Sequence, residues 1–230
     1  AFPLNLEANQ TFLNADYAFL WRGFDFTAHF NKTLFSERLS DEISLQAKIT
    51  LANDVFFQAK ASFINKSPNF NFIRYRSAYS NYNWYNDDLA NEKITSLSAT
   101  LSHPLWGALS GFVQRLDNYT YYNQVFPEQT EETLLPQTLL AEVVQTPETI
   151  TYLKARYSSH YSLWKFGLTT TAQYQKVMLT DNASSPPINA PEWNVRTTLS
   201  FSSHLFKKAL YMQTGITGHY FTNYYADQYN

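Results

Sequence analysis

Hydrophobic and polar residues alternate with a period of two along most of this chain. Residues 43–51 show it most clearly, because one row is uncharged and the other polar: Ile43, Leu45, Ala47, Ile49 and Leu51 against Ser44, Gln46, Lys48 and Thr50. Successive side chains of a strand point to opposite faces, so each row covers one face of a sheet. The pattern predicts a sheet with an apolar face and a wet face.

The alternation, read between turn residues, predicts twelve strand candidates. They cover residues 11–21, 24–35, 43–51, 55–63, 70–81, 94–101, 108–118, 139–145, 149–158, 163–175, 193–203 and 209–220. Short connections at 22–23, 53–54, 159–162 and 204–208 predict tight hairpins, whereas other connections are long and polar. We expect residues 139–145 to extend a loop, which leaves eleven spanning strands.

Strand length separates a membrane barrel from a soluble sandwich. Residues 163–175 alternate for about a dozen residues, while strands of globular proteins usually have about 5 to 6. The uncharged row of this segment begins at Trp164 and ends at Tyr174. At ~3.3 Å per residue and ~45° tilt, those ten residues project to roughly 23 Å, near the ~25 Å apolar band between aromatic girdles.

Several uncharged rows carry aromatic residues at their ends and alanine in the middle. A packed sandwich core needs bulkier side chains there, whereas lipid tails adapt to alanine. The expected girdle residues are Trp21, Phe57, Phe63, Trp164, Tyr174, Trp193, Phe201 and Tyr220. The predicted fold is therefore all-β: a transmembrane antiparallel up-and-down β-barrel, or a partial barrel, of about 11–12 strands. We expect residues 1–230 to form one domain and to be part of a longer chain.

The composition indicates that part of the protein surface does not face water. Charged residues are 16% of the chain and aromatic residues 17%, whereas ordinary soluble domains have roughly 25% charged residues. The formal net charge is −2 and the basic residues are scattered, which excludes the basic patch of a nucleic-acid binder. The chain has no cysteine, and no run approaches the ~20 apolar residues of a membrane helix.

The polar rows are richer in cations than in acids. The candidate lumen-lining residues are Lys48, Lys60, Arg74, Arg76, Lys154, Arg156, Lys165, Arg196 and Asp25. A cationic lumen would favour anionic solutes; the alternative is that these charges only solvate a water-filled or plugged interior. Phe70 and Phe72 share the row of Arg74 and Arg76, so we expect a bulge or a change of face there.

No motif for catalysis or cofactor binding is present. The five histidines do not form a metal-ligand spacing, and neither a G-x-S-x-G nor a phosphate-binding glycine pattern occurs. We therefore expect no enzyme activity, no metal and no cofactor. The tyrosines and tryptophan of residues 79–85 could stack on sugar rings, but anchoring at the membrane interface is the simpler explanation.

Two segments resemble the "Putative porin" family of Bacteroidetes-type bacteria. Residues 70–93, FNFIRYRSAYSNYNWYNDDLANEK, resemble its basic-aromatic strand followed by an Asn/Trp-rich loop, and residues 211–230, YMQTGITGHYFTNYYADQYN, resemble its repeating strand style. The resemblance implies an outer-membrane β-barrel pore in a Gram-negative bacterium, and it implies no catalytic residue.

The expected function is passive diffusion of small polar solutes through a porin. One alternative is a non-conducting barrel subunit of a larger outer-membrane assembly for secretion or export, and a second is a soluble glycan-binding β-sandwich. The expected partners are outer-membrane lipid and lipopolysaccharide, with other outer-membrane proteins as further candidates and no nucleic acid.

Overall fold

The fold is nearly all antiparallel strand. The computed structural model describes residues 11–35, 39–51, 54–78, 83–125, 140–180 and 188–224. Its elements are β1 (Thr11–Trp21), β2 (Phe24–Phe35), β3 (Asp41–Thr50), β4 (Phe56–Lys66), α1 (Phe70–Ile73), β5 (Arg74–Tyr75), β6 (Trp84–Tyr85), β7 (Glu92–His103), β8 (Gly107–Asp117), β9 (Thr120–Val125), β10 (Leu140–Gln145), β11 (Ile150–Leu163), β12 (Phe166–Leu179), β13 (Trp193–Leu205) and β14 (Leu210–Phe221). No helix in this part of the chain is long and apolar enough to cross a membrane.

Ten of the strands form one meandering sheet. Their spatial order is β1-β2-β3-β4-β7-β8-β11-β12-β13-β14, and every neighbouring pair is antiparallel. The strands β1 and β14 are the edges of this sheet, and all their residues are exposed. The sheet is therefore an open up-and-down array in the described residues, with the strand order of a meandering barrel wall.

The connections differ in length at the two ends of the sheet. At one end, β1 and β2 are joined by Arg22 (φ 43°) and Gly23 (φ 84°), which adopt the left-handed conformation of a tight hairpin. At the other end, residues 67–91, 118–149 and 180–192 separate consecutive strands of the sheet. We call these the short-turn end and the long-loop end.

The register gives each face of the sheet a distinct composition. Residues directly opposite one another in an antiparallel pair share a face, so Leu45, Ala61, Leu97, Val113 and Leu153 form one cross-strand row. Rows of this face, which we call the outer face, carry Asp, Glu, Lys or Arg only near the long-loop end of the described sheet: Lys32, Asp41, Lys93, Arg115, Asp117 and Lys176.

The outer face is not covered by a second layer in the described residues. Leu97, Leu109 and Leu199 are between 51% and 57% exposed, and Ile216 is 79% exposed. Burial of apolar surface against protein would stabilise a soluble sandwich, and this sheet lacks it. The expected all-β, barrel-type fold is confirmed, and the sandwich core that the alternative requires is absent from the described sheet.

The structure corrects three local predictions. Residues 70–78 do not belong to a spanning strand, because Phe70–Ile73 form a helical turn and Arg74–Tyr75 pair only with Trp84–Tyr85. The rest of that predicted strand, residues 79–81, lies outside the described residues. The turn predicted at 159–162 lies instead at Trp164 and Lys165, because β11 continues to Leu163. Leu140–Gln145 pair with Thr120–Val125 outside the main sheet, which confirms the predicted loop extension. Within the described ranges, the main sheet thus has ten strands rather than the expected eleven.

Candidate functional site

Five cations of the polar face, which we call the inner face, lie in three adjacent cross-strand rows. Lys48 and Arg156 share one row, and Lys60 and Lys154 share the next one towards the long-loop end. Arg196 lies one row towards the short-turn end, opposite Thr171. Adjacent rows on one face are two residues apart, so the three rows span about 13 Å along the strands. We call these five residues the cationic band.

The cationic band has little neutralising charge. Asp25, opposite Lys48, is the one acid in these three rows of the described sheet. The side chains of Lys48, Lys60, Arg156 and Arg196 are exposed, while the Lys154 Nζ lies 5.3 Å from the ring centroid of Phe112. Hydroxyls and amides such as Gln46, Gln58 and Ser98 fill the positions between the cations. The band is a solvent-exposed surface with excess positive charge.

Three of the proposed lumen-lining residues lie elsewhere. Lys165 is in the β11–β12 turn, with its Nζ 5.0 Å from the Trp164 ring centroid. Arg74 is in the loop between β4 and β7, where its guanidinium lies 4.3 Å from the Tyr85 ring centroid and 3.8 Å from a carboxylate oxygen of Asp87. Arg76 is exposed in the same loop. The structure therefore separates these residues from the cationic band.

Seven of the eight expected girdle residues lie on the outer face of the strands. On the β12–β13 ladder, Tyr174 lies against Trp193 with ring centroids 5.0 Å apart, and eight residues away Phe166 lies against Phe201 at 5.2 Å. At ~3.3 Å rise and ~45° tilt these pairs are about 19 Å apart along the membrane normal. Trp164 differs, because it occupies the hairpin turn with a positive φ of 54°. Trp21, Phe57, Phe63 and Tyr220 complete the set.

An apolar row crosses the inner face near the long-loop end, which the sequence did not predict. It consists of Ile64, Ile94, Leu116, Ile150 and Leu179. A single sheet would leave these side chains exposed, yet Ile150 is 0% and Leu116 8% exposed. The loops at this end also bury Ile73 and Thr120. We infer that the described parts of the loops at this end fold over the inner face and cover part of this row.

Hydrogen bonds of Gln145 join two of these loops. Its amide nitrogen donates to the carbonyl oxygens of Ala90 at 2.8 Å and Asn118 at 3.0 Å, and to the Thr120 hydroxyl at 3.1 Å. Its carbonyl oxygen accepts a bond from the Ala90 backbone N–H at 2.9 Å. Ring contacts join the same two loops. The Tyr122 ring centroid is 4.8 Å from that of Phe72 and 5.6 Å from that of Trp84. The loops thus form one connected structure.

A buried carboxylate anchors the same loops to the sheet. Glu92 is 8% exposed, accepts a hydrogen bond from the Thr120 backbone N–H at 3.1 Å, and lies 3.7 Å from the Lys66 Nζ. Burial raises the pKa of the neighbouring Tyr119 above its ordinary value, and the negative charge of Glu92 raises it further.

The described residues contain no group of three or more His, Asp or Glu placed to hold a metal ion. The site offers a charged, solvent-exposed surface on one side of a sheet whose other side is apolar and carries charged residues only near the long-loop end. A sheet of this kind suits a boundary between lipid and water.

Comparison with known families agrees with this geometry. The family model described as "Putative porin" matches residues 2–230. The chain belongs to the "Putative porin" family. A search of curated proteins finds no match. The family assignment and the all-β fold identify this porin-family chain as an outer-membrane β-barrel type of protein, and the resemblance seen in two segments extends to nearly the whole chain.

Proposed function

We propose that this porin-family chain forms the wall, or a major part of the wall, of a water-filled pore in the outer membrane of a Gram-negative bacterium. The pore passes small polar solutes by diffusion and prefers anions. The cationic band is the observation that carries the proposal, because it lies on the face opposite the mostly apolar outer face. Rings of cationic side chains favour anion passage in a narrow pore.

The orientation follows from the connections. Outer-membrane barrels have short periplasmic turns and longer extracellular loops, so the long-loop end faces the outside. The joined loops lie over the inner face at that end and narrow the entrance. Outer-membrane lipid, including lipopolysaccharide, surrounds the outer face.

The edges of the sheet bear on how the pore closes. Unpaired backbone groups are too costly in hydrocarbon for an open sheet edge, so β1 and β14 must pair with each other or with further strands. An even number of meandering strands leaves β1 and β14 antiparallel to each other, which permits direct pairing. Pairing with strands of another protein is the second candidate, and it corresponds to a non-conducting subunit of a larger assembly.

Planar-bilayer recording tests the proposal. The purified chain, refolded in detergent, is expected to give discrete conductance steps, and its reversal potential in a KCl gradient is expected to show anion preference. The double variant Arg156→Gln/Arg196→Gln should move the reversal potential towards the cation side. Membrane insertion without conductance would favour the non-conducting subunit, and unchanged selectivity would exclude a pore-lining role for the two arginines.

A further inference from the structure

The outer face carries a groove midway along β7 and β8. Its floor is formed where three small residues, Ala99, Gly111 and Ala155, lie directly opposite one another on β7, β8 and β11. Leu97, Val113 and Leu153 line it on the long-loop side, and Tyr174 of β12 borders it. Four neighbouring strands at ~4.8 Å spacing make the groove about 14 Å across. Its outer-face lining is apolar apart from the tyrosine hydroxyl.

Cations lie directly beyond this groove. Arg115 follows Val113 by two residues on β8, Lys93 precedes Leu97 by four residues on β7, and Lys176 lies opposite Leu153. On the side of the long loops, Lys176 is two residues (about 7 Å) from the floor row, Arg115 is four residues (about 13 Å) from it, and Lys93 is six residues (about 20 Å) from Ala99. The three side chains are exposed.

Two acids partly offset this charge. Asp117 lies opposite Lys93 and 3.2 Å from the Arg115 guanidinium, and Glu192 lines the depression next to Lys176. Three cations against two acids leave a net positive charge. The arrangement places excess positive charge on the long-loop side of the apolar groove, where a lipid headgroup could bind.

We propose that this groove binds an acylated, phosphorylated lipid of the outer leaflet. The inference rests on the proposed function, because the outer face must contact the membrane and the long-loop end must be extracellular. An acyl chain lies in the groove, and separate phosphate groups of the headgroup contact Lys176 at one side and Arg115 and Lys93 at the other. A surface cation near a membrane adds a modest attraction to an anionic headgroup, while the groove adds buried apolar area.

Gly111 provides a direct test of the groove. A Cβ atom added to Gly111 meets no heavy atom within 4 Å, so the backbone leaves room for a side chain here, and Gly111→Leu is designed to fill the groove. Gly218 of β14 is also on the outer face and equally open, which makes Gly218→Leu a matched control. Lys93→Gln and Lys176→Gln test the headgroup contacts.

The probe is diphosphorylated lipid A titrated into the detergent-solubilised full chain, with bound lipid counted by native mass spectrometry. Gly111→Leu is expected to weaken binding about tenfold or more, and each lysine variant about fivefold. Gly218→Leu tests whether the effect is specific to the groove, and dephosphorylated lipid A tests whether binding depends on the phosphates. The dephosphorylated lipid should bind more weakly to the wild type, and Gly218→Leu should bind like the wild type.

The outcomes separate the two proposals. Loss of binding in the lysine variants alone would show a phosphate contact without the groove and overturn the lipid site. Equal binding by all variants would also overturn it, even if the chain still conducts ions. Failure to insert into membranes would remove the proposed function itself, and the lipid site with it.

Discussion

Lys32 and Lys60 lie on opposite faces of the sheet. Lys32 of β2 is directly opposite Asp41 of β3, and Lys60 of β4 is directly opposite Gln46 of the same strand. Asp41 and Gln46 are five residues apart, an odd number, so their side chains point to opposite sides. Only Lys60 therefore belongs to the face with the cationic band.

This relationship predicts different effects of the same substitution. Lys60→Gln should shift the reversal potential in a KCl gradient towards cation preference, because it removes one of the five cations of the cationic band. Lys32→Gln should leave the reversal potential unchanged, since its charge lies outside the pore. Equal shifts in both variants would contradict the assignment of the faces.

Gly107 is predicted to be essential for the β7–β8 hairpin. Its φ of +90° is in the left-handed region, and an added Cβ would clash with the backbone carbonyl oxygen of Ser158 on β11. Gly107→Ala should lower the free energy of unfolding by more than about 1 kcal/mol. Gly111→Ala is the control, since a Cβ there meets open space. Urea unfolding in detergent micelles would compare them, and equal stabilities would argue against the close approach.

The loop connection made by Gln145 is predicted to hold the loops over the inner face. Gln145→Ala removes four hydrogen bonds, each worth roughly 0.5–1.5 kcal/mol. Hydrogen exchange at the Ala90 amide should accelerate, and single-channel conductance should rise if the loops narrow the entrance. Gln114→Ala, on the inner face opposite Ser96, provides a comparison within a strand. Unaltered exchange at Ala90 would show that other contacts hold the loops.

The period-two pattern was sufficient to predict the sheet and its faces. The uncharged row of residues 43–51 does lie on the outer face, where Leu45 is 43% exposed. It was not sufficient in residues 70–81, because Trp84 donates to the Asn71 carbonyl and Tyr85 contacts Arg74. Such contacts override strand alternation, and they are not visible in local sequence. The buried inner row at Leu116 and Ile150 depends likewise on loops that fold over it.

Alkaline pH is predicted to weaken the loop structure around Tyr119. Because the pKa of Tyr119 is raised in the folded state above the ordinary 10.0, its contribution to stability is complete below that value. The contribution is lost as pH rises through the folded-state pKa. Glu92→Gln should lower the pKa part of the way, since burial is the larger cause. NMR of ¹³C-labelled tyrosine, assigned with Tyr119→Phe, would measure it, and an unshifted titration would contradict the burial.

The proposed pore requires hydrocarbon at the outer face and water at the inner face. The chain has no cysteine, so single-cysteine variants can be labelled uniquely in reconstituted vesicles. Leu168→Cys and Leu199→Cys probe the outer face, and Thr169→Cys and Thr198→Cys probe the inner face of the same ladder. A water-soluble maleimide should label the two threonine positions and spare the two leucine positions. Equal labelling at all four positions would contradict the account.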